Sequence, residues 1–362
     1  MSLGDLIRWV KGSAAEGITT FVLRNDQVED EDVAGPTGFA PGQVYLEIRV
    51  RQVWLTQERE LWREYQPFGA VVTEFLYQGK PIAIPTVLGS SELRQKMQVL
   101  GEDDAIQISN IRVAGPLPYE GDDVSLLLAL FRTKTVDWLA RSLRVIEDVS
   151  KAIGVGGLPM MVPVAESIVR AVTEFLGVRE LELRVGEYRS WPATELQPMH
   201  YVVMRRSVGS MTTEERNSLR VKDGRLHRSV HVDGQAGLRP YTEHDFMLVS
   251  IRALKFRDDY KRLDFYQLWQ QTQTFLMDRE FSAAERTWRK TQGALYTDEL
   301  IPSQQHLLTK EYKARYESLL AQFGPITDYR SAPTGELPAF ERPRLDVEDP
   351  GELLRRMTGA AR

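Results

Sequence analysis

The chain has 362 residues, 42% apolar and 27% charged, the balance of a globular protein with material for one large domain or two. Its net charge of −5 gives no global electrostatic case for nucleic acid or an acidic membrane surface. It contains no cysteine, which excludes disulfides, thiolate metal sites and a cysteine nucleophile together.

At the start, Asp5 and Arg8 interrupt the short apolar part of "MSLGDLIRWVKGSAAEG". It therefore lacks the uninterrupted apolar stretch, about 7–15 residues, of a secretion signal. No run approaches the ~18–20 apolar residues that span a bilayer, so a cytoplasmic protein is expected. The basic residues are mostly arginine, a hint of a GC-rich bacterial genome.

Residues 1–132 read as a β-rich region. In "QVYLEIRVRQVWL" (43–55), Val44, Leu46, Ile48 and Val50 alternate with Tyr45, Glu47, Arg49 and Arg51, the two-residue period of a half-buried strand. "FGAVVTEFLYQGKPIAIP" (68–85) reads as two strands around Gln78-Gly79-Lys80, with Pro81 and Pro85 marking an edge. "AIQISNIRVAG" and "DVSLLLALFRT" follow on either side of a turn-rich segment. Successive strands without a long intervening helix predict an antiparallel sandwich or open barrel, not a doubly wound sheet.

Residues 133–177 change to a helical period and predict an amphipathic hairpin. Val136, Leu139, Leu143, Ile146 and Ile153 make one face, and Asp137, Arg141, Arg144, Asp148 and Lys151 another. The turn "GVGGLP" (154–159) has the glycines of a phosphate loop but no Lys-Ser/Thr pair, and Pro159 follows a helix end instead of a strand. An interhelical turn is the reading that survives. The second arm carries Met160, Met161, Val164 and Ile168, candidate membrane contacts if the hairpin inserts. Its polar face holds Glu166, Arg170 and Glu174, unlike the Lys/Arg-rich face of an interfacial helix, so packing against protein competes with that reading.

A second β-rich segment, 178–260, can belong to the same sheet system. Its strands are expected at "VRELELRVG" (178–186), "HYVVMRR" (200–206), "SLRVKDGRLHRSVHV" (218–232) and "DFMLVSIRALKF" (245–256). Asp223-Gly224 between two alternating arms signals a two-residue hairpin, which sets Arg220 opposite His227 and Lys222 opposite Arg225. Residues 261–324 are helical. Phe265, Leu268, Trp269, Phe275 and Leu276 form a stripe, Ser282 and Glu285 have capping-box spacing, and Ser303 can cap a third helix. Residues 325–362 are a proline-rich linker and a short terminal helix, "GELLRRM".

Candidate chemistry is sparse. His227, His231 and Asp233 share one strand face, with His244 as a further nitrogen, and such a set suits zinc or iron. Arg220, Lys222 and Arg225 gather positive charge beside it, which repels a metal ion and favours an anion; a solvated strand face explains the same residues. Around 205–240 the arginines carry one nearby aromatic and no stacking motif, so no nucleic acid is expected. No serine lies in a nucleophile elbow. The fold expectation is α+β: an antiparallel β-sandwich or barrel-like core interrupted by a helical hairpin, with a helical C-terminal region. The functional expectation is a non-enzymatic interaction or scaffold subunit of a bacterial multi-protein system, without a cofactor. It would dock protein partners through Leu353, Leu354, Arg355 and Met357 in the tail and through Arg220, Lys222 and Arg225. The alternatives are a membrane-active effector using 133–177 and a metal-dependent enzyme at His227, His231, Asp233 and His244.

Overall fold

A computed structural model describes residues 17–29, 36–55, 66–88, 106–133, 181–206, 209–232 and 235–324. The expected hairpin at 133–177, with Met160, Met161, Val164 and Ile168, lies outside them, apart from the strand end at Thr133. So do Asp233 and the tail with Leu353, Leu354, Arg355 and Met357. The described chain is mixed α+β, with antiparallel sheets and C-terminal helices. It divides into two units. One runs to Arg257 and includes Thr297–Gln304; the other holds Asp258–Tyr296 and the chain from Gln305.

Two sheets face each other in the first unit. The five-stranded sheet has the order β1 (Ile18–Leu23), β8 (Met199–Arg205), β12 (Phe246–Leu254), β2 (Tyr45–Leu55), β5 (Ile106–Pro118). The four-stranded sheet has the order β4 (Lys80–Leu88), β3 (Gln66–Tyr77), β6 (Val124–Thr133), β7 (Leu181–Trp191). All these pairings are antiparallel. Strands from before and after the 133–177 segment therefore share both sheets. Leu46, Ile48, Val50, Val203, Val249 and Ile251 of one sheet meet Val71, Phe75, Leu126, Leu128, Leu130 and Val185 of the other in a single apolar core. At roughly 25 cal/mol per Å² of apolar surface removed from water, this contact is the main stabilising term of the unit.

Turn chemistry fixes the registers. Gln78 and Gly79 both have positive φ (53° and 66°), the geometry of a type I′ turn, and the Glu120 carboxylate accepts both their N–H groups at 2.6 and 3.1 Å. The turn joins β3 to β4, and β4 with its two prolines is an edge strand, where a missing N–H costs no ladder bond. The same pair of positive φ values recurs at Asp223 and Gly224 (51° and 69°). There it joins β9 (Leu219–Lys222) to β10 (Arg225–Val232), pairing Arg225 with Lys222 and His227 with Arg220. With β11 (Gln235–Pro240) these strands form a three-stranded sheet in the order β11-β10-β9.

Strand β2 is buried on both sides, and its phase changes midway. Val50 pairs with Val249 and Gln52 with Leu248 of β12, so Arg51 is the extra residue of a bulge. Before it, Tyr45, Glu47 and Arg49 point away from the sandwich; after it, Gln52 and Trp54 do, and Val53 and Leu55 return to the core. Without the extra residue, a strict two-residue period would turn Gln52 and Trp54 into the sandwich.

The second unit clusters α2 (Asp264–Met277), α3 (Phe281–Leu295) and the part of α4 (Pro302–Phe323) beyond Gln304. A fourth, short helix, α1 (Thr213–Ser218), belongs to the first unit. Aromatic rings tie the three helices of the second unit together: Trp269 lies 5.9 Å from Trp288 and 5.2 Å from Tyr312, and Trp288 stacks on Tyr316 at 4.8 Å. Contrary to the capping-box spacing, Ser282 does not cap its helix. α3 begins at Phe281 with Glu280 at the cap, which puts Ser282 inside the first turn. The helix starts where Phe281 first enters the apolar period, ahead of the hydrophilic cap signal.

Candidate functional site

The three-stranded sheet covers part of the outer face of the five-stranded one. Leu219, Val221, Leu226, Met211 and Tyr241 are buried against Phe21, Leu23, Val202, Met204, Phe246 and Leu248. Gln52 stitches the two, its Oε1 accepting the Leu226 N–H at 2.7 Å. Alternation then points Arg220, Lys222, Arg225 and His227 away from this contact, so the three basic residues singled out from sequence share one outward face. Lys222 Nζ lies 3.6 Å from a Glu29 carboxylate oxygen, and Arg225 is exposed. Arg220 Nη1 donates to the Asn217 and Leu219 carbonyls at 2.6 and 2.8 Å, which closes the end of α1.

Other cations of this region are held by carboxylates. Arg206 reaches Glu215 at 3.0 Å, and Arg228 reaches Glu243 at 2.7 Å. Glu215 also accepts the Thr212 N–H at 2.9 Å in the capping box of α1. That bond, then the Arg206 guanidinium, hold its carboxyl below the usual range.

The histidines separate. His227 and His231 share a face of β10, where His227 Nδ1 lies 3.0 Å from the Arg225 carbonyl oxygen; the His231 side chain and Asp233 lie outside the description. His244 stands in the loop before β12, its Nδ1 2.8 Å from the Tyr241 hydroxyl. Burial, then the Arg206 charge, lower its pKa. Among the described residues no three His, Asp or Glu side chains are grouped to hold a metal. Among them, too, no helix is long and apolar enough to cross a membrane.

The most organised polar cluster lies elsewhere, on the outer face beyond the edge of the covering sheet. Glu47 is 2% exposed in its side chain and receives three arginines. Arg49 grips it with two bonds of 2.9 and 3.0 Å, Arg112 Nε is 2.8 Å away, and Arg252 Nη1 is 3.2 Å away. Arg49 and Arg51 both donate to Asn110 Oδ1, at 3.2 and 3.3 Å. Beside the cluster opens a pocket of about 390 Å³, whose wall includes Leu23, Arg24, Val28, Met199, His200 and Arg252.

Sequence reading passed over this cluster, because Glu47, Arg49 and Arg51 alternate as a solvated strand face does. A signal was present: Ile48-Arg49-Val50, Ile111-Arg112-Val113 and Ile251-Arg252-Ala253 each set an arginine between apolar residues in mid-strand. Half-buried arginines need an acid, and Glu47 is the acid on β2, the strand between β12 and β5.

Comparison with protein-family models, with curated proteins and with solved structures finds no match to this chain.

Proposed function

We propose that the chain is a cytoplasmic, non-enzymatic interaction subunit of a bacterial multi-protein system, and that it docks an acidic protein surface through the outward face of the three-stranded sheet. The observation that supports this reading is the juxtaposition of Arg220, Lys222 and Arg225 by the Asp223-Gly224 turn, on the face opposite the buried one. Charges so arranged steer an acidic partner and set its register more than they add affinity. The tail residues Leu353, Leu354, Arg355 and Met357 are the second docking element of the proposal, a short amphipathic ligand for a partner groove.

The test uses the double variant Lys222→Glu with Arg225→Glu, which leaves the α1-closing Arg220 in place. Immobilised wild-type chain should capture a partner from the source lysate at about 0.05 M salt and release it at about 0.5 M. The variant should capture none, while its melting temperature stays within about 2 °C of wild type. Undiminished capture by the variant would overturn docking through this face. If deletion of 346–362 then removes capture, docking belongs to the tail alone.

A further inference from the structure

We infer that the pocket beside the Glu47 cluster binds a small amphipathic anion, its acidic group at Arg252 and His200 and its apolar body against Leu23 and Val28. This site is separate from the docking face and does not depend on it.

A volume of about 390 Å³ falls within the range of roughly 300–1,000 Å³ that small-molecule sites occupy. Register then places the two polar side chains. His200 of β8 pairs directly with Ser250 of β12, and Arg252 stands two residues further along β12, so His200 and Arg252 are diagonal neighbours on one sheet face. Both line the pocket, His200 at only 8% exposure. Among the described residues the wall carries Arg24, His200 and Arg252 and no aspartate or glutamate.

Glu47 supplies rigidity. Its carboxylate fixes Arg252 from one side while also holding Arg49 and Arg112, so one acid orients three guanidinium groups. An arginine held in place loses little freedom when it pairs with an incoming carboxylate or phosphate, and such charge-assisted bonds are about twice as strong as neutral ones. The apolar side chains give the remainder of the ligand a dry surface. A fully hydrophilic ion would leave that surface uncovered, and a purely apolar molecule would leave Arg252 desolvated beside it.

Fluorescence of anilinonaphthalene sulfonate, which joins an aromatic body to one anionic group, reads the site directly in the full chain. Saturable binding is expected, displaced by octanoate and by octyl phosphate but not by octanol; the better competitor identifies carboxylate or phosphate as the preferred head. Arg252→Gln should weaken probe binding at least about tenfold. Because that variant also removes a partner of Glu47, Thr37→Trp at the exposed pocket rim provides a second reading by filling the mouth. Arg289→Gln, at an exposed position of α3, should change nothing. Equal displacement by octanol, no saturable binding, or probe binding untouched by both Arg252→Gln and Thr37→Trp would overturn the assignment.

Discussion

The outer face of the five-stranded sheet is buried in two different ways along the same strands. Toward Met204, Phe246 and Leu248 it is apolar and closed by Leu219, Val221 and Leu226 of the three-stranded sheet. Toward Glu47, Arg252 and His200 it is ionic, with one buried carboxylate shared by three arginines. The bulge at Arg51 marks the boundary, with Gln52 already reaching into the apolar half and Arg49 still gripping Glu47. The apolar half gains stability from area removed from water. The ionic half recovers by Coulomb attraction what it loses in desolvation, so it is a weak source of stability and an expensive one to damage. That asymmetry is the physical reason to look for binding on the ionic half.

The two halves should fail differently. Leu226→Ala, at a fully buried position, is expected to cost about 2–5 kcal/mol. Glu47→Leu leaves three arginines crowded without their common acid and should cost about 3–5 kcal/mol. Denaturant unfolding at about 0.1 M and about 1 M salt separates them, because shortening the screening length relieves repulsion between partly exposed guanidinium groups. The Glu47→Leu loss should shrink with salt and the Leu226→Ala loss should not. If both respond alike, or Glu47→Leu is harmless, the comparison fails.

A smaller effect tests the boundary itself. Gly224 holds φ at +69°, and a Cβ there would lie 3.0 Å from the Arg51 guanidinium. Gly224→Ala should cost about 1–2 kcal/mol, mostly from the left-handed backbone, since the arginine head can shift. In an Arg51→Met background the cost should fall by about 0.5 kcal/mol if turn and bulge are coupled, and an additive cycle would show the two halves to be independent.

Much of the fold and the basic hairpin face were legible in the sequence, and the Glu47 cluster was not. Asp223-Gly224 announced its turn and the register of Arg220 with His227, because two positive φ values favour that residue pair. The β2 alternation was readable as far as Arg51 and no further, since a bulge leaves no residue signature when the extra residue is an arginine among arginines. β1 in "GITTFVL" and β11 in "QAGLRP" went unread. The first is a six-residue strand, and the second holds a glycine and a terminal proline that argue against strand. The Glu47 cluster draws its arginines from strands about 60 and 200 residues apart, a proximity that only the β5-β2-β12 order creates.

The smallest expected effect belongs to His244, on the loop that closes the apolar half. Burial disfavours its imidazolium and the Arg206 charge repels it, against the opposing pull of Glu243, Asp245 and Glu215, so its folded pKa lies below the ordinary 6.5. Between the lowered folded value and 6.5 the unfolded chain therefore binds more protons than the folded one, and stability rises with pH through that window. The contribution is fully present above 6.5 and is lost as pH falls through the folded value. His244→Gln keeps a hydrogen-bonding group near the Tyr241 hydroxyl but cannot take up a proton. Melting curves from about pH 8 to about pH 5 should show a shallower acid-side decline in the variant than in wild type. The Glu47→Leu chain should keep the wild-type decline, because His244 and its charged neighbours lie in the covered half of the face. Loss of that decline in Glu47→Leu would mean the two halves unfold as one electrostatic unit, and the contrast between them would be one of composition only.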